Sequence, residues 1–489
     1  MNVARMVIGA DLVDSDVHFD AVNPFTGETW ATVAQATTAD VDAAVAAARE
    51  CFVSTWRKTP GVERARLMNA LADAVEKDAA RLADLETTDN GKIIRETTTQ
   101  MHFTARNLRF FAGCADKIYG RTIPLDKPGM FDYTVREPYG VAALITPWNS
   151  PIAALANKLP AALAAGNTVV VKPSEHGSYT TCDFAKLALD VGFPPGVINV
   201  VNGDGAVGDY LTRHPGIDII SFTGGSGTGS RIAANAAIRT IPVTLELGGK
   251  SPNIIFDDAN LDKAIPGAVA GIFAAAGQTC VAGSRLLVQQ GVYDQVLTAL
   301  GELAGRIKVG DPKNPATEMG PIANRPQYDR ILALMEVGRE QGATVVAGGG
   351  PASGGELNRG LFIEPTVFGH VTEDMRIAQE EIFGPVLSIL PFTDEADAIR
   401  IANATEFGLV AGVWTQNISR AHRLIDSLDA GVVWVNTYRS NAAQAPFGGV
   451  KRSGYGRERG EDAIEEYTYV KNVMLDYSDL ERDPFQVKI

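Results

Sequence analysis

The sequence predicts an α/β protein made of a doubly wound unit and a second α/β unit, and three observations carry that expectation. The chain has 489 residues, more than one hydrophobic core usually organises. From Gly140 onward, short apolar or β-branched runs alternate with helix-like stretches, the pattern of a parallel sheet with crossover helices. The alternation pauses at the Gly248-Gly249 pair and then resumes, which places a boundary there.

In chain order, residues 40–118 read as helical, because stretches 41–49 and 63–84 are alanine-rich with apolar residues three and four apart. Residues 120–137 read as extended, since Pro124, Pro128 and Gly129 break any helix. The apolar run 141–145 is a strand that ends in a Pro-Trp-Asn turn, and 152–165 is a helix. A β-branched strand, 168–172, stops at Pro173, and helix 183–191 follows. Strand 197–201 lies between Pro195 and Gly203. Strand 217–222 runs into a glycine-rich turn, and a helix starts near Gly227 and reaches Ala237. Beyond Gly249, strands are expected at 253–256, 285–289 and 344–346, and helices at 261–273 and 293–307. The tail 467–477 is β-branched and aromatic with no local partner, so it is expected to pair elsewhere, another subunit included. Residues 348–355 form a glycine-rich surface turn.

Composition excludes several function classes. Apolar content of 45% and charged content of 21% are ordinary for a soluble globular protein. A net charge of −14 argues against a nucleic-acid partner, whose phosphates it would repel. The four cysteines are scattered, without metal-ligand spacing or a disulfide framework, so a reducing cytoplasm is the expected location. Six histidines with no close pair speak against a zinc site. Asp11, Asp14 and Asp16 stand where a signal sequence would be apolar, and no apolar run reaches membrane-spanning length.

Chemistry centres on Cys280, alone among small residues in segment 273–285. It is either a packed cysteine or a nucleophile, and a nucleophilic thiol needs a base and an oxyanion donor. Glu246 can serve as base, directly or through water, or can be a carboxylate in a surface ion pair. The glycines at 248 and 249 suggest a tight backbone near a ligand. Asn149 sits in a turn between strand and helix, where its amide can donate to an oxyanion or simply cap the turn. The turn 224–229 can offer backbone N–H groups to a phosphate, although it does not fit G-x-G-x-x-G. Lys172 and Glu175, at the end of an earlier strand, can hold ribose hydroxyls or be a solvated strand end.

Seven segments in order give the chain its resemblance to the aldehyde dehydrogenase superfamily. They are Thr146-Pro-Trp-Asn-Ser-Pro151, Val171-Lys-Pro-Ser-Glu175, Phe222-Thr-Gly224, Leu245-Glu-Leu-Gly-Gly-Lys-Ser-Pro252, Gly277-Gln-Thr-Cys280, Glu380-Glu-Ile-Phe-Gly-Pro385 and Pro446-Phe-Gly-Gly-Val-Lys-Arg-Ser-Gly454. The resemblance spans nearly the whole chain. It implies a Rossmann-like cofactor domain over 1–119 and 139–248, a catalytic domain over 249–447 and a small β oligomerisation segment over 120–138 and 467–489. It implies Cys280 as nucleophile and Asn149 with the Cys280 N–H as oxyanion donors. Glu246 becomes the base that activates water, and Glu458 a proton relay. NAD contacts are implied at Thr146, Pro147, Trp148, Lys172, Glu175, Gly205, Gly224, Gly225, Leu247, Glu381 and Phe383. Gly225 departs from the pattern, since relatives often have serine there; the N–H stays and a hydroxyl contact is lost.

A carboxylate at Glu175 binds ribose hydroxyls and repels a 2′-phosphate, so NAD is expected over NADP, with Lys172 leaving weaker NADP use. Substrate-tunnel positions implied by the resemblance are Phe103, Ser150, Ala154, Asn157, Ala274, Arg439, Asn441 and Phe447. Five of these, Ser150, Ala154, Asn157, Ala274 and Asn441, are small or polar where relatives often have large side chains. A wide tunnel for a bulky, branched, cyclic, aromatic or functionalised aldehyde is expected. Arg439 can hold a substrate carboxylate, but an ion-paired arginine at the rim is the favoured reading. The family further implies a homodimer or homotetramer. The rival functions are a coenzyme-A-acylating dehydrogenase and a non-catalytic binding protein on the same fold.

Overall fold

The structure is a computed structural model and describes residues 2–479 and residue 485. Five parallel strands, Val243–Glu246, Ile219–Thr223, Val141–Thr146, Thr168–Pro173 and Ile198–Val200, form the centre of an eight-stranded sheet. Both Val141–Thr146 and Thr168–Pro173 are buried along their full length. Helices cover both faces of a parallel sheet, which is why these strands read as unbroken apolar runs. The sheet's edges are antiparallel: Met6–Ile8 and Asp11–Val13 on one side, Gly454–Tyr455 on the other. The last of these brings the chain back to the first sheet after it has built the second.

The second sheet has seven strands, all parallel except the edge strand Thr344–Ala347. Its core centres on Ile254, Leu286, Leu287 and Ile389. The mixed α/β architecture with parallel sheets agrees with the expected class, and the expected strands and helices fall within a few residues of their observed bounds. Several short strands between residues 2 and 34 were not expected from the sequence.

The tail pairs elsewhere, as expected, and does so within the chain. Thr468–Asp476 pairs along its whole length with Met130–Pro138 of the same chain, in a three-stranded sheet completed by Thr122–Ile123. The partner exists within the chain but lies far away in sequence. Phe131, Val470, Met474 and Leu475 are exposed on that sheet. The last part of the expected oligomerisation segment, 480–484 and 486–489, falls outside the described residues.

Helix Pro151–Ala165 positions much of the site. Proline opens it, and Gly166 closes it in the left-handed conformation. Pro160 lies inside it, lacks an N–H and leaves the Ala156 carbonyl without its helical donor. Asn107 Nδ2 donates to that carbonyl at 3.1 Å and to Asn157 Oδ1 at 3.3 Å, so one amide serves both the carbonyl freed by the proline and the Asn157 side chain.

Candidate active site

Residues spread along the chain from Lys92 to Arg459 line a cavity of about 1440 Å³. Cys280, Glu246, Asn149 and Glu458, distant in sequence, all face into it. Cys280 follows a turn in which Ala275, Ala276 and Gly277 have φ of 55°, 51° and 68°. Left-handed backbone costs an L residue about 1–2 kcal/mol, so this turn needs outside support. Glu96 Oε1 accepts from Ala275 N at 2.8 Å. Gln278 Oε1 accepts from Ala323 N at 2.9 Å, and its amide nitrogen donates to the Ala275 and Pro321 carbonyls. The paired glycines of the sequence now have a reason: a Cβ on Gly249 would lie 2.7 Å from the Cys280 carbonyl oxygen. Likewise, a Cβ on Gly277 would collide with the Gly384 backbone.

Asn149 stands in the turn after strand Val141–Thr146, and its Nδ2 donates to the Gln278 carbonyl at 2.7 Å. That bond holds the amide against the Cys280 segment and uses one of its two N–H groups. Glu246 ends strand Val243–Glu246 and is 3% exposed. Neither of its oxygens finds a hydrogen-bond partner among the described residues. A surface ion pair, the alternative reading of Glu246, is thereby corrected. Burial, then the neighbouring charge of Glu458, holds the Glu246 carboxyl well above the usual carboxylate range. Burial also pushes the Cys280 thiol up to about 12, with Glu381, Glu246 and Glu458 adding to the shift and Arg459 opposing it. A thiol raised in this way needs a proton acceptor to become a thiolate.

Glu458 forms an ion pair with Lys158, Nζ to Oε1 at 2.5 Å, and both are buried. Lys158 Nζ also donates to Ser221 Oγ at 3.1 Å, which in turn accepts from Thr244 Oγ1 at 2.8 Å. Sequence reasoning missed Lys158; a lone lysine in an apolar helix is the signal that could have revealed it.

Pro147, Trp148, Gly224, Gly225, Leu247, Glu381 and Phe383 line the same cavity, while Thr146, Lys172, Glu175 and Gly205 lie outside its lining. Trp148 and Phe383 meet edge to face at 5.3 Å. Glu381 Oε1 accepts from Gly249 N at 3.0 Å, and burial raises its carboxyl to about 7. Helix Ser226–Arg239 begins without a side-chain cap at Gly225, and nothing lies within 4 Å of a Cβ placed on Gly225 or Gly227. An open helix start with uncapped N–H groups fits the pyrophosphate of a dinucleotide. The buried hydroxyls of Thr146 and Thr223 also lack partners among the described residues. Lys172 is buried and lies 3.7 Å from Glu175, which is half-buried. Instead of a solvated strand end, this is a cation and a carboxylate held together.

All eight expected tunnel positions line the cavity. Arg439 has no carboxylate within ion-pair distance among the described residues; its Nη1 donates to the Ala270 carbonyl at 3.4 Å. The ion-paired reading of Arg439 is thus corrected. Further cations on the wall were not singled out from sequence, among them Lys92 and Arg459. Among the described residues no cluster of acidic, cysteine or histidine side chains could hold a metal, and no helix is long and apolar enough to cross a membrane.

Comparison with known proteins agrees with this geometry. The model of the aldehyde dehydrogenase family matches residues 12–473. A (Z)-2-((N-methylformamido)methylene)-5-hydroxybutyrolactone dehydrogenase of Acinetobacter baylyi is 45% identical, with 100% of each chain covered. Aldehyde dehydrogenase 1A1 of Gallus gallus is 45% identical over 94% of this chain and 90% of its own. Among solved structures, betaine aldehyde dehydrogenase of Staphylococcus aureus in complex with NAD+ superposes with a TM-score of 0.97 at 39% identity, covering 99% of this chain and 97% of its own. A putative aldehyde dehydrogenase from Burkholderia cenocepacia gives 0.97 at 43% identity, with 99% of each chain covered.

Proposed function

The chain belongs to the aldehyde dehydrogenase family, and on that premise we propose how its residues divide the work and which aldehydes it takes. The enzyme is an NAD-dependent aldehyde dehydrogenase. The observation that carries the proposal is the meeting of a thiol, an unpartnered buried carboxyl and a side-chain amide in one cavity.

In its ionised form Glu246 takes the Cys280 proton, directly or through water, and the sulfur attacks the aldehyde carbon. The C–S bond forms as the carbonyl π pair moves onto oxygen. Asn149 Nδ2 and the Cys280 N–H, which meets no acceptor among the described residues, receive that oxyanion. NAD, when bound, supplies the acceptor for the hydride that leaves the same carbon. The acyl group is then a thioester on Cys280. Glu246 draws a proton from water, the water oxygen adds to the thioester carbon, and the C–S bond breaks to give the carboxylic acid. Glu458, held by Lys158, passes each proton from Glu246 outward, the thiol's before the water's, so that Glu246 is a base again when water attacks.

Glu246 also weighs against coenzyme A as the acyl acceptor, since a thiol needs no water-activating base. Relatives named for a substituted butyrolactone and for betaine aldehyde differ in substrate, so identity alone does not choose one. The small residues Ser150, Ala154 and Ala274 on the cavity wall support a bulky or functionalised aldehyde.

The direct test is NADH production over aliphatic, aromatic, terpenoid and carboxylated aldehydes, with NADP in a parallel series. Bulky or functionalised aldehydes should exceed acetaldehyde in kcat/KM, and NAD should exceed NADP because Glu175 disfavours the 2′-phosphate. Preference for acetaldehyde would refute the tunnel reading, and preference for NADP the role of Glu175. Acyl-coenzyme A formation on adding coenzyme A would favour the rival. A second check is Asn149→Ala, which should lower kcat by about 10²–10³-fold, the usual cost of one oxyanion donor. A change below threefold in steady-state assays would remove Asn149 from that role.

A further inference from the structure

Arg459 is the least explained charge in the cavity. It is 9% exposed, and among the described residues no carboxylate lies within ion-pair distance of it. Other buried cations of this chain are satisfied differently. Lys158 has Glu458. Arg285 spends its guanidinium on the carbonyls of Lys250, Ile401 and Ala402. Burial drives the Lys250 ammonium down to about 7, so it can shed its proton. A guanidinium cannot do so, and a buried charge without a counter-ion is costly.

The surroundings of Arg459 define a shape. Its Nε donates to Asn157 Oδ1 and its Nη1 to Asn441 Oδ1, each at 2.9 Å. The Phe103 and Phe447 rings lie 5.0 and 4.8 Å from the guanidinium carbon. Rings and amides therefore fix the guanidinium and leave its remaining N–H groups to the cavity it lines. Cys280 packs against the cluster that contains Phe447, so the open guanidinium and the thiol share one end of the tunnel. The acids nearby are engaged elsewhere. Glu458 is on Lys158, and Glu96 Oε1 is on the Ala275 N–H. Glu246 is held toward its neutral form. Lys92 is another cation on the wall and donates to the Ser150 hydroxyl.

We propose that Arg459, fixed by Asn157 and Asn441, is an anion-binding subsite of the substrate tunnel, and that the aldehyde it selects carries a carboxylate. A fixed guanidinium with a free N–H edge matches the two oxygens of a carboxylate. This deepens the reading above and rests on Cys280 being reached by an aldehyde through this tunnel.

The test compares kcat/KM for 4-oxobutanoate and 5-oxopentanoate with that for their methyl esters, which keep the aldehyde and lose the charge. The wild type should favour the better acid over its ester by about 10- to 100-fold. Arg459→Gln should remove most of that ratio, and Arg459→Lys should restore part of it. Equal ratios in wild type and Arg459→Gln, or a wild type that favours the esters, would overturn the proposal. The wild-type ratio needs no variant to fold. Glutarate protection of Cys280 from iodoacetamide supplies a reading without turnover: it should be strong in the wild type and weak in Arg459→Gln, and absence of protection in the wild type counts against the subsite. NADH from the esters without any preference for the acids would sink the subsite alone. No NADH from any aldehyde, with protection intact, would instead sink the catalytic reading.

Discussion

Cys280→Ala is expected to lower kcat/KM for aldehyde oxidation by about 10⁴-fold or more, the scale on which loss of a covalent nucleophile is felt. The residue is half-buried and its sulfur holds no hydrogen bond among the described residues, so truncation opens little space and orphans no partner. The melting temperature should therefore stay within a few degrees of wild type, about the shift of a 1 kcal/mol change or less in a large chain. Activity and stability thus separate. The other cysteines, Cys51, Cys114 and Cys182, are buried away from the cavity lining, and their replacement by alanine should not reproduce the loss. Steady-state NADH assays beside thermal unfolding check both halves. A Cys280→Ala enzyme within tenfold of wild type would remove the thiol from the mechanism.

Glu246→Gln is expected to separate the two half-reactions. Water activation by a positioned carboxylate contributes about 10²–10⁴-fold, so steady-state turnover should fall by that factor. A first equivalent of NADH should still appear, because a slower route to the thiolate remains through solvent. Stability should change with a definite sign. Burial raises the Glu246 carboxyl above its ordinary 4.5, so its protonated form belongs to the folded state. Such a group supports the fold below pH 4.5, and that support is lost as pH rises toward the folded-state value. Glutamine has no proton to lose. The melting temperature of the variant relative to wild type should therefore increase as pH rises above 4.5, whatever the constant offset of the amide. A difference independent of pH would mean that the carboxylate is not desolvated as described.

The parallel strands were legible because burial on both faces leaves Val141–Thr146 and Thr168–Pro173 apolar or β-branched except at Lys172. Asn2–Ala4, Met6–Ile8 and Asp11–Val13 were not, since three residues carry no period, and Asn2–Ala4 and Met6–Ile8 pair with strands distant in sequence. The tail strand was visible and its partner was not, because pairing across most of the chain leaves no turn signal.

At the site, Cys280, Glu246 and Asn149 stood in glycine- and proline-marked segments. Lys158 and Arg459 did not stand out, because a charged residue reads as surface until burial is known. The paired left-handed alanines 275 and 276 were equally silent, since alanine carries no preference for positive φ. What the sequence could not supply was which charge lacked a partner. That property belongs to the packed cavity, and it marks both Glu246 and Arg459.

The most direct measurement is peptide mass spectrometry of Glu246→Gln quenched after one turnover with an aldehyde and NAD. The peptide carrying Cys280 should gain the mass of the aldehyde less a hydride and a proton, as a thioester that hydroxylamine removes. NADH formed without that adduct, or an adduct on Cys51, Cys114 or Cys182 instead, would contradict covalent catalysis at Cys280.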